Sequence, residues 1–472
     1  MKHPIIPILE QARALRREGH PKEAVSLLAG MEAPCDAPHE ALRFHEETQQ
    51  ALLEWAETAT QPGDPLRTKL FFRAQESFYR AVYINPIAGA PYITQSKFWW
   101  LLGDPAMGRR LLRSIQQVSP HVALAEALEA FPATAAERPP AETAPTLEAV
   151  PRGFRVLVLG IPGYDPGMDV LYDGLCEVIG AENVEEFPWK PMLHGEAMEE
   201  AEGYPTPCNR PGTPRGLSWV CEALRAGRFQ AVLYADLIQS QPREEVRAIV
   251  AAANASHTPL CVVDGWDDAA DNQAIILDRL GLSRVPVYFK REMLRCHDYG
   301  PNVFPLPLSY ADARFPTQPA RTRSRLLFWA GNRYYGLRRL YLEVLEAALG
   351  AFLDARLAQE SYVRALGNSL IGLSCFGFGY DTVRYYEVPA HGAMLLAERP
   401  PIRIPHDFVD GETAVFFEDI AELEEKLLWY AQHPEDAVRI ALAGHAHAKR
   451  YHSASARARQ LLARLVSLQR PQ

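Results

Sequence analysis

"FRVLVLGIPGYD", at 154–165, marks the point where the side-chain period of this chain changes. Its four central residues are all apolar, so the segment has no polar face and reads as a strand buried on both sides, closed by glycine and proline. "GMDVLYDGLCEVIG" at 167–180 then has helical spacing. The alternation repeats in "FQAVLYADL" (229–237), "REEVRAIVAAANAS" (243–256) and "PLCVVDGWDD" (259–268). Short all-apolar strands separated by helices predict a parallel sheet covered on both faces. The rhythm loosens around "VYFKREM" and "NVFPLPLSY" and resumes with "RLLFWAGNRYYGLRRLYLEVLEAAL" at 325–349. The expectation is an α/β protein with two facing, doubly wound, Rossmann-like domains, the chain crossing between them near 305–322. Ligands of open parallel sheets lie beyond the carboxyl ends of the strands, which directs attention to the cleft between the two.

Upstream the pattern is helical. Residues 6 to about 130 carry apolar side chains at three- and four-residue spacing, broken at Gly19-His20-Pro21, at 61–65 and at Asn85-Pro86. Pro86 and Pro120 end two helices thirty-four positions apart, the period of tetratricopeptide repeats, whose helix hairpins bury their apolar faces by stacking. A helical cap packed on the rest of the chain is the alternative. "FPATAAERPPAETAPTLEAVP" loses aromatics and gains Pro, Ala, Thr and Glu, the composition of a linker. The expected division is a helical-repeat domain at 1–130, a linker at 131–151, a Rossmann-like domain at 152–310, and a second one at 311–472.

Composition narrows the class. The 472 residues are 48% hydrophobic and 23% charged, as in globular proteins, and exceed one ordinary core. A net charge of -9 gives no basic footprint for nucleic acid. No run reaches the roughly 20 apolar residues of a membrane span. The first residues lack a secretory pattern, so the cytoplasm is expected. Seven cysteines without a CxxC argue against a disulfide framework or a zinc site.

"GFGYDTVRYYEVPAHGAMLL", at 377–396, puts Asp381, Arg384 and Glu387 three residues apart on one helical stripe, ahead of Gly392 and an apolar strand. A solvated stripe with an Arg384–Glu387 pair is the plain reading. However, "RYYEVPAHGAMLL" together with "FVDGETAVFFEDIAELEEKLLWYAQHPEDAVRIALAGHAHAKRYHSASARARQLL" resembles the carboxyl-terminal half of the CgeB-like, spore-maturation type glycosyltransferases of the two-domain GT-B superfamily. The resemblance covers residues 320–465 well and 151–320 loosely, and implies that the domain at 152–310 is the acceptor-side one and that at 311–472 the nucleotide-sugar-binding one. It implies that Glu387 holds the ribose hydroxyls of a nucleotide-sugar, with Arg384 beside it and His391, Gly392 and Ala393 lining the phosphate side. It also implies that Arg333 and Arg338 in "WAGNRYYGLRR" reach the diphosphate, where relatives carry Arg and Lys, with Asn332 in the same turn on the donor side. A guanidinium there can stabilise the departing diphosphate. The chain departs from many retaining relatives at Gly379, where they have a glutamate eight residues before the ribose-binding one.

The amino-terminal sheet is less informative. "GIPGYDPG" (160–167) is a glycine turn of GxxGxxxG spacing, distinct from a nicotinamide fingerprint. Asp264 ends a strand and can serve as base towards an acceptor hydroxyl, while Asp267 and Asp268 can equally begin the next helix. His194 lies on a Pro-, Gly- and Arg-rich loop at 188–216 facing the cleft and is a second candidate for catalysis. "YFKRE" (288–292) supports the inter-domain edge through Lys290. His445, His447 and His452 decorate the closing helices. No metal and no cofactor beyond the donor substrate are expected. The reading is thus a metal-independent hexosyltransferase that moves a sugar from a nucleotide-diphospho-sugar to a polypeptide Ser or Thr recruited by the helical repeats. A surface glycan as acceptor, a non-catalytic repeat adaptor with degenerate transferase domains, and a sugar-nucleotide epimerase are the alternatives.

Overall fold

The computed structural model describes residues 5–131, 143–145, 147, 149–196, 208–320, 322–351, 353 and 357–469. Most of the expected linker and the middle of the 188–216 loop lie outside them. The chain begins with α1 (Ile5–Arg17), α2 (Pro21–Ala29), α3 (Pro38–Ala59), α4 (Pro65–Ile84), α5 (Gly89–Leu102), α6 (Pro105–Val118) and α7 (Val122–Ala130). The breaks follow from local chemistry. Asp64 and Asp104 cap α4 and α6 by accepting backbone N–H groups from Leu66 and Met107, with proline at the first helical position. Pro86 and Pro120 follow the ends of α4 and α6, with the α5–α6 hairpin between them. The α3–α4 hairpin has helices of 22 and 20 residues, and the α5–α6 hairpin has two of 14, so the pairs are unequal in length.

The first α/β unit contains β1 (Val156–Leu159), α8 (Pro166–Ile179), β2 (Val184–Phe187), α9 (Leu217–Arg225), β3 (Ala231–Tyr234), α10 (Arg243–Ala255), β4 (Leu260–Asp264), α11 (Gln273–Leu280), β5 (Tyr288–Lys290) and β6 (Val303–Pro305). Its six strands pair in the order β2-β1-β3-β4-β5-β6, all parallel. The second contains β7 (Arg325–Phe328), α12 (Arg338–Leu349), α13 (Gln359–Gly367), β8 (Ser369–Ser374), α14 (Val383–Ala390), β9 (Met394–Glu398), β10 (Val415–Phe417), α15 (Ile420–Gln432), α16 (Pro434–Tyr451) and α17 (Ala454–Ser467). Its sheet runs β10-β9-β8-β7, again parallel. The expected class, two doubly wound units behind an all-helical region, is the observed one.

The period-two geometry of strands explains the all-apolar runs. Val156, Val158, Leu233 and Val263 pack with Leu171 and Leu175 of α8 in one core, whereas Leu157, Leu159, Val232 and Val262 face Val246 and Ile249 of α10 in the other. Two features modify the expected domain division. Leu461, Leu462 and Leu465 of α17 lie in the first unit's core, so the end of the 311–472 segment crosses back to the sheet formed by 152–310. Buried Arg457 of α17 donates to the Leu308 carbonyl at 3.1 Å, tying that helix to the crossing segment. The helical region is equally continuous with the rest, because Phe71, Phe78, Tyr92 and Trp99 share one core with Leu340, Leu373 and Met394. No helix among the described residues is long and apolar enough to cross a membrane.

Candidate functional site

The carboxyl ends of β7 and β8 and the start of α14 converge in the second unit. After β7 the chain places Trp329, fully buried, and then Gly331 at φ 145°. A Cβ on Gly331 would stand 2.7 Å from Arg384 Nη2, so only glycine lets that guanidinium donate to the Ala330 carbonyl, at 2.5 Å. Arg384 Cζ lies 5.5 Å from the Trp329 ring centre. Its Nε and Nη1 are buried without a hydrogen-bond partner, as are Trp329 Nε1 and Arg338 Nε. Arg338, 7% exposed, donates to the carbonyls of Asn332 (3.0 Å) and Cys375 (3.1 Å). Burial, with Arg384 nearby as a like charge, lowers its pKa to about 10, so it remains a cation at neutral pH. Two guanidiniums thus approach each other through carbonyl contacts, keeping unsatisfied donors, an arrangement suited to an anion.

Glu387, one turn along α14 from Arg384, is 4% exposed. It accepts from the Tyr362 hydroxyl at 2.6 Å and from the Tyr310 hydroxyl at 3.4 Å. Burial raises its pKa, opposed by the Tyr362 hydrogen bond and by Arg384. The carboxylate is therefore presented on a fixed helix between two hydroxyls, beside the guanidinium pair.

Other expected positions fall elsewhere. The N–H groups of His391, Gly392 and Ala393 donate to the carbonyls of Glu387, Pro389 and Val388. They close the carboxyl end of α14, where the helix dipole is negative, and so cannot cradle a diphosphate. A Cβ at Gly392 would meet the Pro319 side chain at 2.2 Å, and His391 Nε2 bonds the Tyr310 hydroxyl at 2.9 Å. This corrects the expected phosphate role of that turn. Arg333 is also displaced from its expected role: it forms a forked pair with Glu346 at 2.8 and 2.7 Å and reaches the Leu353 carbonyl. Arg384 takes its place beside Arg338. Asn332 contributes its carbonyl to Arg338, and its side chain accepts from the Tyr334 N–H.

On the facing unit, Asp264 is 1% exposed; Tyr288 (2.7 Å) and Lys290 (3.1 Å) donate to its Oδ2 and the Trp266 N–H (3.3 Å) to its Oδ1, so its burial leaves no approach for an acceptor hydroxyl. His194 uses both ring nitrogens, on the Arg210 carbonyl and Glu186, each at 2.6 Å, and stacks on Trp189. Its role is to fix the loop, which corrects the expectation of catalysis. Asp267 and Asp268 do not start a helix, since α11 begins at Gln273 behind Asn272. Asp267 is 53% exposed in its side chain and pairs with Arg291. Gly160 and Gly163 have open space beside their backbones, whereas Gly167 packs on Leu308.

Of the residues that join the two units, the sequence marked Asp381 as part of the charged stripe but did not single out Arg291 or Glu292. Arg291 donates to the carbonyl and to the carboxylate of Asp381, and Asp381 also accepts from the Leu308 N–H (2.6 Å) and the Tyr386 hydroxyl (2.7 Å). Glu292, fully buried, accepts the N–H groups of Tyr380 and Asp381, each at 3.0 Å. Gly379 is explained by the same contact: a Cβ there would lie 2.2 Å from Glu292 Oε1 and 3.3 Å from Asp267 Cα. The "KRE" cluster ending a strand was the available signal; the working residues are its Arg and Glu, whereas Lys290 holds Asp264 and the Asp268 carbonyl. His445 and His452, expected as decoration, are buried; His445 Nδ1 bonds the Ala390 carbonyl at 2.9 Å. Among the described residues no three His, Cys, Asp or Glu side chains converge on a metal position.

Residues 328–463 match the family model described as Glycosyl transferase-like. No curated protein matches the chain. Among solved structures, Anabaena HepE in complex with UDP-glucose aligns at 11% identity over 66% of this chain and 99% of its own, with a TM-score of 0.40. A glycosyltransferase from Rickettsia africae aligns at 9% identity over 67% and 100%, TM-score 0.45. An O-GlcNAc transferase from Thermobaculum terrenum aligns at 13% identity over 99% and 98%, TM-score 0.32.

Proposed function

We propose that the chain is a glycosyltransferase that takes a sugar from a nucleotide-diphospho-sugar bound at the carboxyl end of the second sheet. The observation that carries this reading is the pair of guanidiniums, Arg338 and Arg384, with buried donors left unsatisfied beside the Glu387 carboxylate. A diphosphate supplies the missing acceptors and the compensating charge, and a carboxylate accepts two vicinal ribose hydroxyls. The family match over 328–463 spans this site and supports the same reading.

In the reaction, the acceptor oxygen forms a bond to the anomeric carbon as the bond to the diphosphate breaks, its electron pair leaving with the phosphate. Arg338 and Arg384 stabilise that developing charge, so catalysis consists largely of positioning and electrostatics without a metal. Of the carboxylates at the end of β4, Asp267 is the solvent-open one and is the proposed acceptor of the hydroxyl proton. The acceptor is proposed to be a polypeptide Ser or Thr, because the helical region packs directly on the donor-side loop through Phe72–Phe378 and Trp99–Tyr380.

Calorimetric titration with uridine, guanosine and thymidine diphosphates tests the donor site. One of them binds the native chain, and Glu387→Ala and Arg338→Met each abolish the heat. A native chain that binds none of the three sinks the transferase reading and leaves the adaptor.

A further inference from the structure

A cavity of about 880 Å³ lies in the seam between the helical region and the loop that follows β7. Its wall includes Asn332, whose carbonyl anchors Arg338, and Phe378, which follows the Gly377 that packs on Arg338; the guanidiniums themselves lie behind these residues rather than in the lining. A second cavity, of about 550 Å³, extends it between the α2–α3 connection and helices α3 and α4. The two share Ala33, His45, Glu76 and Arg80, which makes one elongated groove leading from the helices to the donor loops.

Its walls change character along its length. The donor end carries Tyr79, Tyr83, Tyr334 and Phe378. Tyr83 and Tyr334 meet edge to face at 5.2 Å across the seam, yet are 56% and 52% exposed. An aromatic pair left this open contributes little to the core and offers a wide apolar contact surface. The far end is lined by Leu28, Phe44 and Leu52 alongside Thr48, Ser77 and Arg73. His45, where the halves join, is 6% exposed, and its Nδ1 is buried without a partner. Burial and Arg80 lower its pKa to about 4, so it is a neutral ring able to donate or accept.

Resting on the transferase reading, we infer that this groove holds an extended segment of acceptor polypeptide, with the Ser or Thr to be modified at the aromatic end. An elongated groove suits a linear polymer better than a compact ligand. Side-chain groups of both hydrogen-bonding senses, Thr48, Glu76, Arg80 and His45, meet the alternating N–H and C=O groups of a peptide. Met31, 38% exposed on the same wall, offers a contact for its apolar side chains. A glycan chain needs aromatic faces along its whole path, and here they cluster at one end.

The test applies fluorescently labelled full-length protein to an array of short peptides, each with one Ser or Thr, and to an array of oligosaccharides. Peptides bind, and the double change Tyr83→Ala with Tyr334→Ala weakens them by roughly tenfold or more. Both tyrosines are exposed, and an unchanged nucleoside-diphosphate thermal shift verifies that the double variant folds and keeps its donor site. Peptide binding unaffected by the change, no peptide binding at all, or oligosaccharide binding in its place each overturn the groove assignment. A chain that binds nucleoside diphosphate but no peptide loses this inference alone. One that binds no nucleotide loses the transferase reading.

Discussion

Arg338 and Arg384 bring like charges together in a buried setting where their contacts are to carbonyls, an arrangement that costs stability and that a bound anion offsets. Arg384→Ala is therefore expected to weaken nucleoside diphosphate binding by about 2 kcal/mol, roughly thirtyfold, the value of hydrogen bonds to charged groups. Unfolding of the ligand-free chain shifts little or moves upward. Calorimetry and urea unfolding on the same preparation separate the two effects, and a large loss of stability with unchanged affinity makes Arg384 a structural residue. His391 gives a pH prediction. Its folded pKa is lowered to about 4 by burial, with Arg314 and Arg323 adding repulsion, against about 6.5 in the unfolded chain. Between these values the unfolded state binds more protons, so the contribution of neutral His391 is present above pH 6.5 and is lost as pH falls towards 4. At pH 5 the loss is about 2 kcal/mol relative to pH 7. His391→Gln flattens the urea-midpoint profile between pH 7 and 5 by that difference, whereas parallel profiles contradict the assignment.

Helix α14 is the element on which both units act. Its preceding turn is held by Glu292 and Arg291 of the first unit, and its far end is closed by the 391–393 turn. Arg291 bridges Asp381 and Asp267, and the burial of Asp381 raises the cost of leaving that carboxylate without its cation. Arg291→Met is expected to destabilise the chain by about 3 kcal/mol in urea unfolding. Asp267 remains exposed and loses its orientation, so kcat falls more than donor affinity; equal loss in both places Arg291 in folding alone. Glu387 was singled out through the family resemblance; its spacing alone reads as a solvated stripe, whereas Asp381 and Glu387 are 2% and 4% exposed. The joining contacts were not legible, because Asp381 meets the Leu308 N–H 73 residues away and Glu292 meets the 380–381 amides 88 and 89 residues away. Spacing within one segment cannot express such contacts. The phosphate role expected of 391–393 failed for a related reason: a glycine after a helix reads the same whether its amides face a ligand or close the helix.

At the scale of the molecule, the parallel sheets were legible because strands buried on both faces must be continuous apolar runs. The thirty-four-residue proline spacing identified real helix ends but said nothing of what the helices pack against. They pack against the turn that follows β8: Phe72 and Tyr79 contact the Phe378 ring, Gln75 donates to the Phe378 carbonyl, and Tyr380 donates to Gln75 Oε1. On the other side Arg110 pairs with Glu418 and reaches the Arg399 carbonyl, holding the end of β9. A freestanding adaptor domain makes few such contacts, and domains joined only by a linker tolerate separation. Deletion of residues 1–142 is therefore expected to uncover Phe378, Tyr380 and the Trp99-facing surface together. The remaining chain loses the support of the 376–380 turn that carries Gly377 against Arg338. Its nucleoside diphosphate binding disappears along with cooperative unfolding, as measured by calorimetry and near-ultraviolet circular dichroism. Were the truncated chain to unfold cooperatively and bind nucleotide with native affinity, the helices would be an appended module, and the continuous core from Phe71 to Leu373 would have no energetic weight.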